Sequence, residues 1–224
     1  MSRWADRRRR PALLLAAVVV LSAALIGASW IGSGETDARA TAVRESSLAG
    51  IAQAGAALGN PSAPVTLVEY ADLQCPYCAE WAQQTLPVLV DDYVRTGKLR
   101  IVFRGLAFIG PDSQRALRVA VAAGRQNRLW DVVEDLYLRQ GAENGGWVTE
   151  ALLEETAGPQ ALAQSNEAWV ARRLLLSSRA AEAAGVTGTP AFQLGRTGGA
   201  LRLVPLHSLG PEGLRPAIEA ALAS

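Results

Sequence analysis

The stretch that decides the fold is residues 64–78, which read Pro-Val-Thr-Leu-Val-Glu-Tyr-Ala-Asp-Leu-Gln-Cys-Pro-Tyr-Cys. Its first half, Pro64 to Tyr70, is rich in β-branched and aromatic residues and predicts a central strand. A helical pattern starts at the Cys-Pro-Tyr-Cys segment and ends before Gly97, and residues 99–104 predict a second strand. Strand, helix and strand in this order form a βαβ unit, so the two strands are predicted to be parallel.

The remainder of the chain adds helices and a pair of strands. Residues 112–184 carry apolar side chains at helical spacing and predict an insertion of three or four helices. Residues 191–194 and 201–204 predict strands, and the glycine-containing segment 196–199 predicts a hairpin turn between them. A last helix is predicted from residue 211 to residue 223. The fold class is therefore α/β, with a βαβ half and a ββα half separated by a helical insertion.

An uncharged apolar run lies near the start of the chain. A helix over residues 12–31, rising ~1.5 Å per residue, would cross a hydrocarbon layer of ~30 Å. Five arginines precede the run, which predicts that residues 1–11 are cytoplasmic and that the rest of the chain is extracytoplasmic. A cleaved signal peptide is the alternative, with Ala38-Arg39-Ala40 as a candidate cleavage site. The length of the run favours a retained transmembrane anchor.

The predicted organisation places a linker at residues 32–62 and the globular domain at residues 63–224. Residues 1–31 carry five arginines and one aspartate, a net charge of +4, so the +1 of the whole chain leaves −3 for the part predicted to be exported. Binding to nucleic acid calls for a basic face or stripe, which this balance does not predict. We expect a single-pass membrane protein with an extracytoplasmic domain, or a secreted or periplasmic protein if the N-terminal segment is cleaved.

The chain has two cysteines, Cys75 and Cys78, whose spacing has four interpretations. A structural zinc site needs four ligands, but the chain adds only one histidine to the two cysteines, so no metal is expected. Covalent haem attachment needs a histidine at the position of Ala79. A structural disulfide would close a very small loop and would constrain the unfolded chain little. A redox-active Cys75–Cys78 disulfide, without any other cofactor, is favoured.

The position of the pair predicts different roles for the two sulfurs. If the helix begins at this motif, unpaired amides and the helix dipole stabilise a thiolate at Cys75 and lower the pKa of its thiol below about 8.5. Cys78 lies one turn further along, so we expect it to be more buried and to act as the resolving thiol. Pro76 suits the first turn because it has no amide hydrogen.

Glu69 interrupts the first predicted strand with a charge. In a simple alternating strand its side chain would face solvent. A central strand of a covered parallel sheet has no solvent face, so a buried carboxyl with a raised pKa is the other interpretation. Such a carboxyl could relay the proton of Cys78, although ion-pair networks also bury carboxylates.

Two blocks of sequence carry a family resemblance. Residues 59–78 resemble the opening of DsbA-like thioredoxin-fold proteins, and residues 185–192, Gly-Val-Thr-Gly-Thr-Pro-Ala-Phe, resemble that family's cis-proline loop. The resemblance implies a thioredoxin-like fold in which Pro190 is cis and faces the disulfide, and in which Thr189 offers its backbone to a bound substrate chain. It also places Glu69 at the position of the family's buried acid. The candidate substrate-binding residues are Pro76, Tyr77, Thr189 and Pro190.

The predicted activity is the donation of a disulfide to reduced or unfolded exported proteins. A quinone-linked thiol oxidase in the membrane is the predicted partner that regenerates the disulfide. One departure from the family concerns Tyr77, which stands where the best-known oxidases have histidine and therefore removes a potential cation beside the thiolate. The alternatives are a disulfide reductase or isomerase on the same fold, and a non-catalytic binding domain or chaperone.

Overall fold

The computed structural model describes residues 48–224. The segments predicted to be cytoplasmic (1–11) and transmembrane (12–31) lie outside the described residues, as does the first part of the predicted linker. Among the helices from residue 48 onward, none is long and apolar enough to cross a membrane.

A mixed sheet forms the centre of the described part. Its strands are β1 (Gln53–Ala54), β2 (Ala57–Leu58), β3 (Val65–Asp72), β4 (Leu99–Leu106), β5 (Ala191–Arg196) and β6 (Arg202–Val204). Their order across the sheet is β1-β2-β4-β3-β5-β6. The β3–β4 pair is parallel, as predicted, and the other adjacent pairs are antiparallel. Strand β3 is buried along its whole length, as expected of a central strand.

Helices pack around this sheet. They are α1 (Pro76–Gln84), α2 (Leu86–Leu89), α3 (Pro111–Ala123), α4 (Leu129–Leu138), α5 (Glu150–Ala157), α6 (Pro159–Gln164), α7 (Ala168–Ala183) and α8 (Arg215–Ala223). Helix α2 continues into a π-helical turn, Val90–Val94. Helices α3 to α7 form the helical insertion, whose bounds lie within one residue of the predicted 112–184.

Local sequence explains where several elements begin and turn. Prolines occupy the first turn of α1, α3 and α6, where the missing amide hydrogen has no intrahelical acceptor to lose. Gly198 turns the chain between β5 and β6 with a φ of +81°, a conformation that glycine adopts without strain. The predicted hairpin at residues 196–199 is therefore confirmed.

The sheet starts before residue 63, which corrects the predicted boundary between linker and domain. Strands β1 and β2 form a hairpin, and β2 pairs with β4 through Ala57–Val102 and Leu58–Ile101. Leu58 is fully buried, so the hairpin belongs to the core. The compact unit begins at Leu48. Strands of two residues leave no periodic pattern in a sequence, and a long-range pairing with β4 defines them.

Hydrophobic side chains cover both faces of the sheet. On one face, Leu67 packs in the main core with Trp81 of α1. On the other face, Val68 and Tyr70 pack against Ala181 of α7. Because side chains alternate along a strand, Glu69 lies on the same face as Leu67. The acid therefore points to the side of the sheet that carries α1.

Candidate active site

The two cysteines lie at the start of α1, directly after β3. Cys75 is the N-cap residue and Pro76 occupies the first turn, as predicted from the sequence. The thiol of Cys78, one turn further, is fully buried, whereas Cys75 keeps 5% of its surface exposed. Both cysteines are in the reduced form. Cys75 is therefore the less buried residue of the pair.

The pKa of the Cys75 thiol is lowered to about 6. The largest cause is a hydrogen bond from the Cys78 thiol, and the side chain of Thr189 and the backbone amides of Tyr77 and Cys78 act in the same direction. Burial opposes them and raises the pKa of this thiol. The backbone amides at the start of the helix therefore lower the pKa of the Cys75 thiol as expected, but the hydrogen bond with Cys78 lowers it more.

The pKa of the Cys78 thiol moves in the opposite direction, well above its usual value. Burial is the main cause, followed by the hydrogen bond to Cys75 and by the negative charges of Cys75 and Glu69. At neutral pH the reduced pair is therefore a thiolate at Cys75 and a thiol at Cys78. This asymmetry is what the sequence-based roles of attacking and resolving sulfur require.

Glu69 is buried, which decides between the two interpretations of its position in β3. Its side chain is 1% exposed, and neither carboxyl oxygen has a hydrogen-bond partner among the described residues. Burial, and secondly the charge of Cys75, raise the pKa of this carboxyl to about 8. Glu69 is therefore protonated at neutral pH, and its charge, when present, acts on Cys78.

The Thr189–Pro190 segment faces the pair. The peptide bond between these residues is cis, as the family resemblance implies. In its protonated form the Cys75 thiol donates to the Thr189 carbonyl oxygen across 3.3 Å. The backbone of Thr189, next to the start of β5, thus lies within hydrogen-bond distance of the Cys75 sulfur.

Exposed aromatic side chains lie near the entrance. Tyr77 is 61% exposed at the start of α1, and Phe108 is 60% exposed in the loop after β4. The backbone amide of Phe108 donates to Asp72 of β3, which ties that loop to the end of the strand preceding Cys75. Sequence reasoning missed Phe108, because a lone aromatic residue after a strand gives no signal of exposure.

Buried polar side chains, also missed by the sequence analysis, hold the loop between β3 and Cys75. The Asp72 carboxylate is fully buried and accepts hydrogen bonds from the backbone amides of Gln74 (2.9 Å), Phe108 (3.0 Å) and Ile109 (3.2 Å). The hydroxyl of Ser113 in α3 donates to the same carboxylate. These protein donors occupy both oxygens of Asp72, so this acid is structural.

Gln74 connects the same loop to the helical insertion. Its Oε1 accepts from the backbone amide of Asn144 (2.6 Å), and its Nε2 donates to Oδ1 of Asn144 (3.2 Å). Gln140 Nε2 donates to the Cys75 carbonyl oxygen across 3.2 Å. The insertion therefore fixes the backbone that carries the Cys75 sulfur. No spacing rule links residues 74 and 144, so only the folded chain reveals this contact.

Trp81, in the helix that carries Cys78, belongs to the core, and His207, the one histidine of the chain, lies outside the site. Trp81 is fully buried and packs against Phe192 with ring centroids 4.9 Å apart. His207 is exposed in the segment between β6 and α8. Within residues 48–224, no group of three or more His, Cys, Asp or Glu side chains could hold a metal ion. The side chains that can exchange protons or electrons at this site are the two thiols and the Glu69 carboxyl.

Curated relatives of this chain include disulfide bond formation proteins and a Na(+)/H(+) antiporter NhaA of Salinispora arenicola, of which the match covers 12%. The probable disulfide bond formation protein D of Bacillus cereus is 35% identical over 98 residues, which cover 43% of this chain and 45% of that protein. The chain thus spans about half the length of this curated relative. The crystal structure of oxidised BdbD from Bacillus subtilis superposes with a TM-score of 0.66 at 21% identity, covering 78% of this chain and 98% of that one.

A second solved structure agrees with the first. A thioredoxin-like oxidoreductase from Silicibacter pomeroyi superposes with a TM-score of 0.62 at 27% identity, covering 75% of this chain and 92% of that one. The thioredoxin-like fold with a helical insertion and the resemblance to DsbA-like proteins are confirmed. The family model described as thioredoxin matches residues 52–199, more than half of the 224 residues, and the chain therefore belongs to the thioredoxin family.

Proposed function

We propose that this chain is an extracytoplasmic thiol–disulfide oxidoreductase that introduces disulfides into exported proteins through Cys75 and Cys78. The observation that carries the proposal is the placement of the two thiols: Cys75 caps α1 with its sulfur 3.3 Å from the Thr189 carbonyl oxygen, and Cys78 is fully buried one turn further. In this setting the pKa of the Cys75 thiol is lowered to about 6 and that of the Cys78 thiol is raised. A stabilised thiolate is a good leaving group, so a disulfide that contains it is readily reduced.

The first step is an exchange at the oxidised pair. A substrate thiolate attacks Sγ of Cys75, the less buried of the two cysteines, and the bond between Cys75 and Cys78 breaks. The electron pair of that bond leaves on Cys78 as a thiolate. Because the pKa of this thiol lies above that of Glu69, a proton passes from the Glu69 carboxyl to the Cys78 sulfur. Glu69 then recovers a proton from solvent.

The second step releases the product. A second thiolate of the substrate attacks the substrate sulfur in the mixed disulfide, and Cys75 leaves as a thiolate. Two substrate thiols have lost two electrons, which now reside on the reduced Cys75 and Cys78. The low pKa of the Cys75 thiol favours this release, since the thiolate needs no proton at neutral pH.

Four residues are proposed to contact the substrate chain. Pro76 and Tyr77 are exposed beside Cys75. Thr189 presents a carbonyl oxygen 3.3 Å from the Cys75 sulfur, within reach of a backbone amide of a peptide held in the mixed disulfide. Pro190 follows it and lines the same approach. An unfolded or reduced protein fits this site because it supplies an extended backbone as well as a thiol.

Turnover requires an oxidant that accepts two electrons from the reduced pair. We place this role with a quinone-linked thiol oxidase in the membrane, reached by a domain that the apolar segment at residues 12–31 tethers on the extracytoplasmic side. The length of that segment and the arginines before it support this location.

The reduction potential of residues 48–224, equilibrated in glutathione buffers, tests the proposal. The Cys75 pKa of about 6 lies between the values of ~7 for thioredoxin and ~3.5 for DsbA. We therefore expect a potential between those of the same proteins, ~−270 mV and ~−120 mV. A value near the upper limit supports disulfide donation. A value at or below the lower limit would make the protein a reductase, and the absence of any reversible couple would leave a binding domain.

A further inference from the structure

A groove lies at the β4 side of the sheet, separate from the cysteines. Its volume is about 690 Å³, which falls within the range of roughly 300–1,000 Å³ that is usual for ligand-binding pockets. The β1–β2 hairpin forms one wall, and α7 forms the other. Val102 and Phe103 of β4 contribute to an apolar floor. None of the residues that line the groove takes part in the candidate active site.

Three arginines and no carboxylate line this groove. They are Arg104 of β4, Arg125 after α3, and Arg173 of α7. Neither Arg104 nor Arg173 forms a hydrogen bond or an ion pair with the described residues. The guanidinium of Arg125 lies 4.0 Å from the centroid of the Trp169 ring. It also forms an ion pair across 3.9 Å with the carboxylate of Glu167, which does not line the groove. Residues 48–224 carry 15 basic and 17 acidic side chains, so a purely basic groove is a local concentration of charge.

The groove also exposes backbone. Strand β4 pairs with β3 along its full length, but on its other edge it pairs with β2 only at Ile101 and Val102. The amide of Phe103 bonds to Ala56, and the strand then continues through Gly105, which lines the groove, without a strand neighbour on that edge. An unpaired edge is a template to which an extended peptide can add a strand.

We propose that the groove beside β4 binds an extended, carboxylate-bearing segment of a partner protein. Backbone of the segment pairs with the free edge of β4, its acidic side chains meet the three arginines, and its apolar side chains contact Leu176 of α7. The side chain of Leu176 is 46% exposed, so an apolar side chain bound in the groove would cover it. The concave shape favours a peptide over a flat lipid surface. Binding here leaves Cys75 accessible, so it adds a docking site to the redox site.

The test compares two dye-labelled peptides by fluorescence anisotropy, using the full-length chain in nanodiscs of neutral phosphatidylcholine. One peptide alternates glutamate with valine, and the other alternates lysine with valine. We expect the glutamate peptide to bind at least tenfold more tightly, with an affinity that falls as salt is added. Arg173→Glu should weaken that binding at least tenfold. Arg172→Glu is the matched control. It makes the same charge change at the neighbouring position of α7, on the exposed surface outside the groove.

Each outcome decides the proposal. Equal binding of the two peptides, or equal losses in the Arg172 and Arg173 variants, would overturn it. Vesicles that contain anionic phosphatidylglycerol provide a further arm: binding of residues 48–224 to them, lost in Arg173→Glu and kept in Arg172→Glu, would assign the groove to lipid headgroups and overturn the proposal. Thiol–disulfide exchange should be unchanged in both variants. The docking site and the redox site can therefore fail independently.

Discussion

Replacing Glu69 by glutamine should change how the stability of the protein depends on pH. The carboxyl is buried without a hydrogen-bond partner, and its pKa rises from 4.5 to about 8 on folding. Between these two values the folded protein keeps a proton that the unfolded chain releases. The free energy of unfolding of the natural protein therefore falls as pH rises across this window, and the loss is complete above the folded pKa.

The pKa shift sets the size of the effect. A shift of one unit corresponds to about 1.4 kcal/mol, so a rise from 4.5 to about 8 corresponds to a loss of about 5 kcal/mol between the two ends of the window. Glu69→Gln has no proton to lose and should escape this contribution. The buried amide of glutamine adds a cost of its own, but that cost is the same at every pH. The difference between variant and natural protein should therefore grow with pH.

Urea unfolding of residues 48–224 under reducing conditions, at several values between pH 4.5 and pH 8, measures this difference. We expect the variant to gain about 1.4 kcal/mol per pH unit relative to the natural protein through most of the window. Glu182→Gln, on the exposed surface of α7, is the matched control for the change in net charge and should track the natural protein. A difference that stays constant from pH 4.5 to pH 8 would refute the idea that Glu69 is protonated in the folded protein.

Three other changes test the site and its support. Cys78→Ala should raise the pKa of the Cys75 thiol above about 6, because it removes the hydrogen bond that lowers this pKa most; the ultraviolet absorbance of the thiolate against pH measures it. Gln74→Ala should destabilise the protein by about 1–3 kcal/mol, since it removes the hydrogen bonds that join this buried side chain to Ser113 and Asn144, and a denaturant midpoint unchanged from the natural protein would contradict that role. Trp81→Ala should cost about 3–5 kcal/mol in the same assay, because it empties space packed against Phe192.

Much of the redox site could be predicted from local sequence. The strand before Cys75, the helix after it and the Cys-x-x-Cys spacing are all encoded within a few residues of one another. Burial of Glu69 was one of two interpretations of its place in the strand, and the structure decides in its favour. The cis peptide bond before Pro190 came from family resemblance, since local sequence alone favours the trans form.

The remainder depends on contacts between distant residues. Gln74 and Asn144 are separated by 70 positions, and neither has a neighbour in the sequence that signals their pairing. Asp72 could be noticed as an acid beside the motif, but its role depends on donors supplied by the loop after β4 and by α3. The β1–β2 hairpin was not predicted for the same reason: it is held by pairing with β4, which is distant in the sequence. Periodicity finds elements, and it does not find the polar contacts that position them.

The unequal thiols also set how many protons accompany each pair of electrons. Above about pH 6 the two reduced thiols of the enzyme hold one proton, on Cys78, whereas a typical substrate dithiol holds two up to about pH 8. The potential of the enzyme should then fall by ~30 mV per pH unit and that of its substrate by ~59 mV. The equilibrium constant for transferring the disulfide therefore rises about tenfold per pH unit. Between about pH 8 and pH 6 a protein built this way would therefore transfer its disulfide to such a substrate less completely as the surroundings become more acidic, without any change in its fold.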